Sequence, residues 1–494
     1  MSIPSVDVFY VHERPLWGYG YHRTTTSRIH SSKRLPEAKG IMQWSAVLSW
    51  LTVVWEPFYM LRSVLYWTMA GSLVGMLVGV VVTYFLKFLF WSIATAAPWP
   101  FWWFSVLLPA GGLVSGLLIH YLAPDAAGHG TEAVIRAVHE KAGAINWRVA
   151  PVKALATLAT IAVGGSAGKE GPSAQIGAAV ASALADLLRF SPDQRRRIVI
   201  CGIGAGFATV FGTPVAGGIL GIEVLAMGAM LYEMLLPSFA ASLAAFEMAR
   251  LLGLTWFYPR VALALPFSLG SSGRILLLGV VAGLVSYLLV LGMEGFHRAA
   301  DRLRQRGRVW PPLMPALAGT LLFLLMLAVG RSYGGLSLPL LTTALSGHAA
   351  AGLAWFGKLL FVAITLGLGM SGGIITPLFV IGATLGAAMA GPLHLPVSSS
   401  AAIGMVAVTA SGANVPIAAV LLGMEFFGSA LGPNFLVAAL PAFILIGHHS
   451  VYPSQQVRMQ KSSWVQIEQG LPLEKAKRSP VPPPWRRNFE HDKA

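Results

Sequence analysis

The sequence has a single cysteine among its 494 residues, and only 11% of its residues are charged. One cysteine, Cys201, excludes an intrachain disulfide. No group of cysteine and histidine residues has the spacing that a zinc site requires, so we predict neither a metal nor another cofactor. The first residues also lack the order of basic and then apolar residues that marks a cleaved signal peptide, which indicates that they remain in the mature chain.

Apolar residues predominate instead. Hydrophobic residues make up 55% of the chain, and the mean hydropathy is +0.67, which is too apolar for a soluble globular protein. A helix that spans a bilayer needs about 20 apolar residues, so the chain has room for about a dozen spans. We predict an all-α, multi-pass protein that is integral to the lipid bilayer.

The net charge of +15 comes from 35 lysine and arginine residues against 20 acidic ones. The basic residues lie in turns and tails between apolar stretches, so they do not indicate a nucleic acid as partner. Basic loops stay on the cytoplasmic side of a membrane. The clusters at 195–197 and 298–308 and the basic tails therefore predict cytoplasmic termini and an even number of spans. The expected location is the plasma (inner) membrane.

The distribution of polar residues predicts three parts of the chain. Residues 1–56 are predicted to be a cytoplasmic N-terminal segment, and residues 57–450 the transmembrane domain. Residues 451–494 are predicted to be a basic cytoplasmic tail without a regulatory domain.

Glycine and proline interrupt two apolar segments, and the interruptions match each other. Gly168 and Pro172 in GKEGP have the same spacing as Gly373 and Pro377 in GGIITP, and Ile-Gly-Ala begins four residues after each proline. Such breaks inside apolar sequence indicate helices that end within the membrane. The match indicates an internal repeat.

A second pair of segments supports this repeat. Pro214 precedes Glu223 by nine residues, and Pro416 precedes Glu425 by the same nine residues. Paired, interrupted segments in two halves of a membrane chain are typical of transporters whose binding site lies where the repeats meet, and such halves are commonly inverted. We therefore predict two inverted structural repeats with broken helices that meet at a central site.

The chemistry of such a site favours an anion. A helix that begins inside the membrane directs unpaired N–H groups and the positive end of its dipole at the cavity. Glu170 lies at one of these helix starts, and an ionisable residue within a membrane is a functional candidate. Because its carboxylate carries the same charge as an anion, its protonation state decides whether it competes for the site. We predict that Glu170 is a proton-sensitive gate.

GKEGP, GGIITP and Tyr452 in GHHSVYP resemble the CLC family of chloride channels and chloride/proton antiporters, over about residues 67–455. The resemblance implies that Glu170 is the gating glutamate and that the backbone amides of Ile374 and Ile375 hold the central anion. It also implies that the Tyr452 hydroxyl closes the site from inside, and that the protein is a homodimer with one pore in each subunit. Chloride is the expected anion.

Two departures from the family pattern bear on function. Where the first anion loop of the family has Gly-Ser-Gly-Ile-Pro, this chain has Gly-His-Gly-Thr-Glu, so His129 replaces the anion-contacting serine beside Gly130. Val224 falls where antiporters have an internal proton-transfer glutamate, and Glu223 fills the preceding acidic position. We therefore predict channel-like or weakly proton-coupled flux, with a chloride/proton antiporter as the alternative.

Other interpretations remain open at this stage. His129 is alternatively a helix cap or loop residue, and Glu223 and Glu425 are more typical of hydrogen-bonding acids than of proton carriers. A fluoride exporter of the same fold ranks third, because that branch usually alters the residue after Glu-Gly whereas Pro172 is retained here. Ser166 in GGSAG fits the G-x-S-x-G pattern of a serine hydrolase, which makes an intramembrane hydrolase a remote alternative.

Overall fold

The computed structural model describes residues 39–256, 265–307, 309–348 and 352–481. Most of the predicted segment 1–56, and residues 482–494 of the predicted tail, lie outside these ranges. The chain divides into two units, residues 1–60 and 61–494. In the first unit, the residues from Lys39 onward are helical. All contacts that form the site described below lie in the second unit.

Helices account for most of the described residues, as the all-α prediction requires. The helices of the first half are α1 (Lys39–Ala96), α2 (Phe104–Leu122), α3 (Thr131–Glu140), α4 (Val149–Ile161), α5 (Glu170–Leu187), α6 (Pro192–Phe211), α7 (Pro214–Glu223) and α8 (Leu235–Leu251). Those of the second half are α9 (Leu269–Gln305), α10 (Leu313–Val329), α11 (Leu338–Leu345), α12 (Ala354–Gly367), α13 (Ile375–Ala390), α14 (Val397–Gly412), α15 (Pro416–Phe427) and α16 (Gly432–Leu445).

Short elements complete the described part of the chain. Four strands form two pairs: β1 (Ala226–Met227) runs parallel to β2 (Gln456–Val457), and β3 (Val465–Ile467) runs antiparallel to β4 (Arg478–Pro480). Short 3-10 helices lie at Phe101–Trp103, Pro124–Ala126, Tyr232–Met234, Arg331–Tyr333 and Ser429–Leu431. The strands after α16 are a feature that the polar composition of the tail did not predict.

Only some of the described helices are long enough to cross a bilayer. Four helical segments have the required length and apolar composition, namely Trp55–Ala96, Phe101–Leu122, Tyr232–Leu251 and Leu269–Gln305. The repeat helices α5 to α7 and α13 to α15 have 10 to 20 residues. A 16-residue helix such as α13 is about 24 Å long, which is shorter than the apolar core of a bilayer at about 30 Å.

The two halves pack in the same way. In the first half α5 packs on α6 and α6 on α7, and in the second half α13 packs on α14 and α14 on α15, while α7 and α15 contact each other. Glycines permit two equivalent close approaches. A Cβ atom on Gly75 of α1 would collide with the backbone of Ala241 in α8, and one on Gly279 of α9 with that of Ala438 in α16.

Each half contains one fully buried lysine that binds backbone oxygens. Lys153 in α4 and Lys358 in α12 are separated along the chain by the same distance as Gly168 and Gly373. The Lys358 ammonium donates to the carbonyl oxygens of Tyr333 and Gly335 at 3.3 and 3.0 Å. It also donates to the hydroxyls of Ser166 and Ser337 at 2.9 and 2.8 Å. Lys358 thereby ties the loop before α11 to the segment that leads into α5.

Replacing Lys358 with methionine should destabilise the protein strongly. The change leaves buried oxygen acceptors without their donor, and each unsatisfied buried group costs about 1–3 kcal/mol, so we expect a loss of at least about 3 kcal/mol in the free energy of unfolding. Thermal unfolding in detergent measures this loss. The exposed Lys477→Met is the matched control and should change stability by less than about 0.5 kcal/mol. Equal melting temperatures for the two variants would contradict this role of Lys358.

Candidate anion site

The starts of α5 and α13 are joined by a pair of backbone hydrogen bonds. The Gly168 N–H donates to the Gly373 carbonyl at 2.7 Å, and the Gly373 N–H donates to the Gly168 carbonyl at 2.6 Å. Glycine is required at this crossing, because a Cβ atom on Gly373 would lie 2.7 Å from the Gly171 nitrogen. The two motifs that the sequence pairs therefore meet in space, with the first turns of two helices side by side.

The Glu170 carboxylate lies at the start of the opposite helix. The side chain is 2% exposed. It accepts the backbone N–H of Thr376, in the first turn of α13, at 3.0 Å, and the hydroxyl of the same residue. The Lys169 N–H donates to it at 3.1 Å. Unpaired N–H groups and the positive end of the dipole stabilise an anionic group at this position.

No lysine neutralises this carboxylate within the described part of the chain. The neighbouring Lys169 points elsewhere: its ammonium donates to the Val210 carbonyl at 3.4 Å and lies 5.1 Å from the centre of the Phe90 ring. The direct hydrogen-bond partners of Glu170 are therefore backbone and hydroxyl groups, and the Lys169 ammonium attracts the carboxylate only from a longer distance. A halide ion would be stabilised by the same dipoles.

The two predicted isoleucines lie at the start of α13. Ile374 is the N-cap residue and Ile375 the first helical residue, and both are fully buried. Their amides directly precede the amide of Thr376, which donates a hydrogen bond to the Glu170 carboxylate. Thr376 is a site residue that sequence reasoning missed, although its place between Ile375 and the matched Pro377 marks it as part of the same helix start.

The loop before α3 packs against the Glu170 segment. A Cβ atom on Gly130 would collide with the carbonyl of Gly171, and one on Gly171 with the carbonyl of His129. Lys153, which is fully buried, fixes the loop by donating to the carbonyls of Ala126 and Gly128 at 3.0 and 2.6 Å. His129 and Gly130 are thereby held beside the gate candidate.

Three polar side-chain atoms around this loop are buried and make no hydrogen bond within the described residues: His129 Nδ1, the Thr131 hydroxyl and the Tyr452 hydroxyl. Tyr452 is fully buried, and its hydroxyl lies next to that of Thr131 and within electrostatic reach of Glu170. Buried polar atoms without a partner are costly, and they are typical of places where a ligand or water binds. The sequence did not single out Thr131, whose position in the first turn of α3 was the available signal.

The acids Glu223 and Glu425 stabilise each other's helices. Glu223, at the end of α7, accepts the N–H groups of Ile417 and Ala418 at the start of α15, at 3.1 and 2.7 Å. Glu425 in α15 accepts those of Val215 and Ala216 at the start of α7, at 3.2 and 2.7 Å. Each carboxylate thus caps the helix of the other. Such mutual capping is expected when two repeats are related by a two-fold axis.

Val224 and the segment that carries Tyr452 are linked through Gln455. The Gln455 amide donates to the Val224 carbonyl at 3.0 Å and to the Ala413 carbonyl at 2.9 Å. Val224 itself is fully buried. Hydrogen bonds from the turn after α16 to the ends of α7 and α14 therefore fix the position of Tyr452.

Residues beyond this turn are anchored by Lys461. Its ammonium donates to the Asn414 side-chain oxygen and to the Phe443 carbonyl, both at 2.7 Å. Burial lowers the pKa of Lys461 to about 6, because the positive charge loses its hydration. The first part of the predicted tail is thus packed against the helical domain.

Ser166 lacks the surroundings of a hydrolase nucleophile. Its hydroxyl is fully buried, donates to the Tyr333 carbonyl at 2.8 Å and receives a bond from Lys358. A nucleophile elbow requires an exposed hydroxyl beside a base. Ser166 instead connects the Glu170 segment to the loop before α11.

A family model described as "Voltage gated chloride channel" matches residues 111–447, more than half of the chain. The chain belongs to this family. The match covers α3, α5, α7, α13 and α15, and with them the meeting helix starts described above. The recognised resemblance and the predicted multi-pass helical fold are both confirmed, and the protein is a CLC-type membrane protein of anion transport.

Similar proteins span nearly the same length. A "Chloride/fluoride channel protein" of Pseudomonas syringae pv. tomato is 33% identical over 417 residues, which is 82% of this chain and 90% of the relative. An "H(+)/Cl(-) exchange transporter ClcA" of Vibrio cholerae serotype O1 is 28% identical over 436 residues, with 81% and 91% covered. The solved structure of a CLC-type fluoride/proton antiporter superposes with a TM-score of 0.75 at 27% identity, covering 81% of this chain and 99% of that one.

The role of His129 is testable in a Glu170→Gln background, where the gate no longer titrates. If His129 contacts the anion, its protonation and anion binding strengthen each other by the same free energy. Replacing it with serine should then weaken anion affinity by about fivefold, the value of one hydrogen bond. It should also flatten the pH dependence of affinity in calorimetry and alter the preference for chloride over nitrate.

An exposed histidine supplies the control. His120→Ser, at the end of α2, should leave affinity and selectivity unchanged. Identical titrations for His129→Ser and its parent would mean that backbone amides and hydroxyls hold the ion without the imidazole.

Proposed function

We propose that the protein moves halide ions across the membrane along a path that the ionised Glu170 carboxylate closes. The observation that carries this proposal is the carboxylate bound to the N–H and hydroxyl of Thr376 at the start of α13. An anion needs the same donors. When Glu170 takes up a proton, its attraction to the positive helix end falls, and the ion replaces it.

The residues around the gate supply the remaining groups of the path. The amides of Ile374 and Ile375, the loop at His129 and Gly130, and the Tyr452 hydroxyl bind the ion beside Glu170. The buried polar atoms of His129 and Tyr452, which lack partners within the described residues, support this assignment. No cofactor takes part in this scheme.

The second part of the proposal is that anion flux is channel-like or only weakly coupled to protons. Val224 carries no proton, and both carboxylate oxygens of Glu223 accept backbone N–H groups of α15. A carboxylate that caps a helix in this way suits a structural role. The alternative is a chloride/proton antiporter. The exchange transporter of Vibrio cholerae and the solved structure of a fluoride/proton antiporter both favour proton exchange.

Fluoride is the second candidate substrate beside chloride. The relative that is 33% identical and the solved structure with a TM-score of 0.75 both have fluoride in their names. The altered first loop, with His129 in place of serine, agrees with a fluoride branch, whereas Pro172 does not. These similarities raise fluoride above the third rank that the sequence alone supports.

The assembly and orientation remain part of the proposal. We infer a homodimer with one path in each subunit, in the plasma (inner) membrane, with both termini in the cytoplasm. The basic clusters at 195–197 and 298–308 support this orientation through the preference of basic loops for the cytoplasmic side.

Neutralising the gate should remove the pH dependence of transport. In Glu170→Gln the side chain no longer competes as a charge, so anion efflux from proteoliposomes should persist, and the ratio of flux at pH 5 to flux at pH 8 should fall to about one. Glu233→Gln, an exposed acid, is the control and should keep the wild-type ratio. A wild-type pH profile in Glu170→Gln would show that another group gates the path.

Proton coupling and substrate are measured in the same vesicles. A gradient of chloride, and separately one of fluoride, should drive anion flux with little proton movement, because Val224 replaces the acid of the antiporters. A pH-sensitive dye inside the vesicles reports the protons, and ion-selective electrodes report the anions. Proton uptake against its own gradient, at a constant ratio to either anion, would overturn the channel-like assignment and establish exchange.

A further inference from the structure

A gate that responds to protons needs a route by which protons reach it. Glu170 is 2% exposed, and its carboxylate is bonded to Thr376 and Lys169. Protons move through proteins along titratable groups, hydroxyls and water molecules. The groups that connect Glu170 to each membrane surface therefore determine from which side pH acts on the gate.

Tyr452, whose hydroxyl lies near Glu170, belongs to the turn that leads into residues 456–481. The Tyr452 hydroxyl is within electrostatic reach of two carboxylates, those of Glu170 and Glu132, and the Thr131 hydroxyl is next to it. Both hydroxyls are buried and make no hydrogen bond within the described residues. A hydroxyl can accept one proton and donate another, so the pair suits proton transfer.

Glu132 lies where this pair of hydroxyls meets the protein surface. It follows Thr131 in the first turn of α3, and its side chain is 12% exposed. Its carboxylate accepts the Ser454 N–H at 3.4 Å, two residues after Tyr452, and pairs with Arg136 at 3.1 Å. The other charged group that acts on it is Glu474 of the C-terminal segment. Glu132 is therefore a titratable group that contacts both solvent and the segment that carries Tyr452.

The other acids near this end of the helices are less suited to the task. The carboxylates of Glu223 and Glu425 each accept two backbone N–H groups of a facing helix. Both carboxylates are thus engaged as helix caps. Glu140, the last residue of the same helix as Glu132, is exposed and pairs with Lys475.

We propose that Glu132 transfers protons between Glu170 and the membrane side that carries residues 456–481. The inference rests on the proposed gating role of Glu170. In each transfer the Glu132 carboxylic acid gives up one proton, the hydroxyls of Thr131 and Tyr452 and intervening water each accept one and pass one on, and the Glu170 carboxylate gains one. A hydronium ion from that side then protonates Glu132 again and becomes water, so that each transfer moves one proton, and its charge, from that side to Glu170.

The test measures the pH response of anion flux from each side of the membrane separately. Lys477 is exposed and Cys201 is buried, so Lys477→Cys gives one site for a membrane-impermeant biotin maleimide. The protein is reconstituted at no more than one dimer per vesicle. Because the label cannot cross the membrane, only vesicles with the C-terminal segment outward carry biotin, and these are captured on streptavidin. Chloride efflux is recorded while either the outer or the inner pH is lowered from about 7.5 to about 5.

In Glu132→Gln the response to outer acid should fall by at least about tenfold, in line with the loss of a positioned acid. The response to inner acid should persist, because protons from that side reach Glu170 by another route. Glu140→Gln is the matched control on the same helix and should respond like the parent from both sides. Equal responses of Glu132→Gln and the parent would overturn the proposal.

Two further variants separate proton transfer from a structural role. Glu132→Asp keeps the acid and should keep the response to outer acid. Ser454→Ala removes the 3.1 Å hydrogen bond from the Ser454 hydroxyl to the Glu132 carbonyl but leaves the Glu132 acid in place. Its anion flux should therefore still respond to outer acid. If Ser454→Ala loses the response as Glu132→Gln does, Glu132 acts by holding the Tyr452 segment and the proposal is wrong.

Failure of the gate itself gives a different pattern. If Glu170→Gln still responds to pH from either side, the proposed function fails, whatever Glu132 does. If Glu170→Gln is insensitive but His129→Ser, and not Glu132→Gln, loses the response to outer acid, the gate stands and the proton route runs through the imidazole. That outcome also overturns the role of Glu132.

Discussion

The mutual hydrogen bonds between Gly168 and Gly373 are the constraint on which the site depends. They hold the starts of α5 and α13 side by side in the interior of the protein, so that the first turn of each helix is open to the groups of the other. Two positive helix ends that lie close together stabilise a negative charge between them. In this chain the Glu170 carboxylate supplies the negative charge and accepts the Thr376 N–H. We propose on this geometry that a halide competes with the side chain for one set of donors.

The rest of the fold keeps that geometry in place through contacts that occur in pairs. Lys153 and Lys358 each fix a loop with a buried ammonium, and Glu223 and Glu425 each cap the other's helix. Charges at these positions are paired with backbone dipoles and not with opposite charges.

The sequence predicted the repeat, the broken helices and the position of Glu170, because glycine and proline spacing is a local signal. It did not predict what Glu170 binds. Thr376, Lys153 and Thr131 acquire their roles from contacts between segments that are far apart in the chain. The difference between Glu223 as a proton carrier and as a helix cap depends on the start of α15, about 200 residues away. Strand β2 was hidden for the same reason, because its partner β1 lies more than 200 residues earlier in the chain, whereas β3 and β4 pair with each other within the tail.

The most direct test of the central claim is the location of a halide in crystals of the Glu170→Gln protein grown in bromide. Anomalous scattering identifies bromide without ambiguity from water. Competition for the start of α13 predicts a bromide peak within hydrogen-bonding distance of the Thr376 nitrogen, with the substituted carboxamide side chain displaced from it. If the carboxamide still accepts a hydrogen bond from the Thr376 N–H and no halide lies beside it, the claim that the gate and the ion share these donors is contradicted.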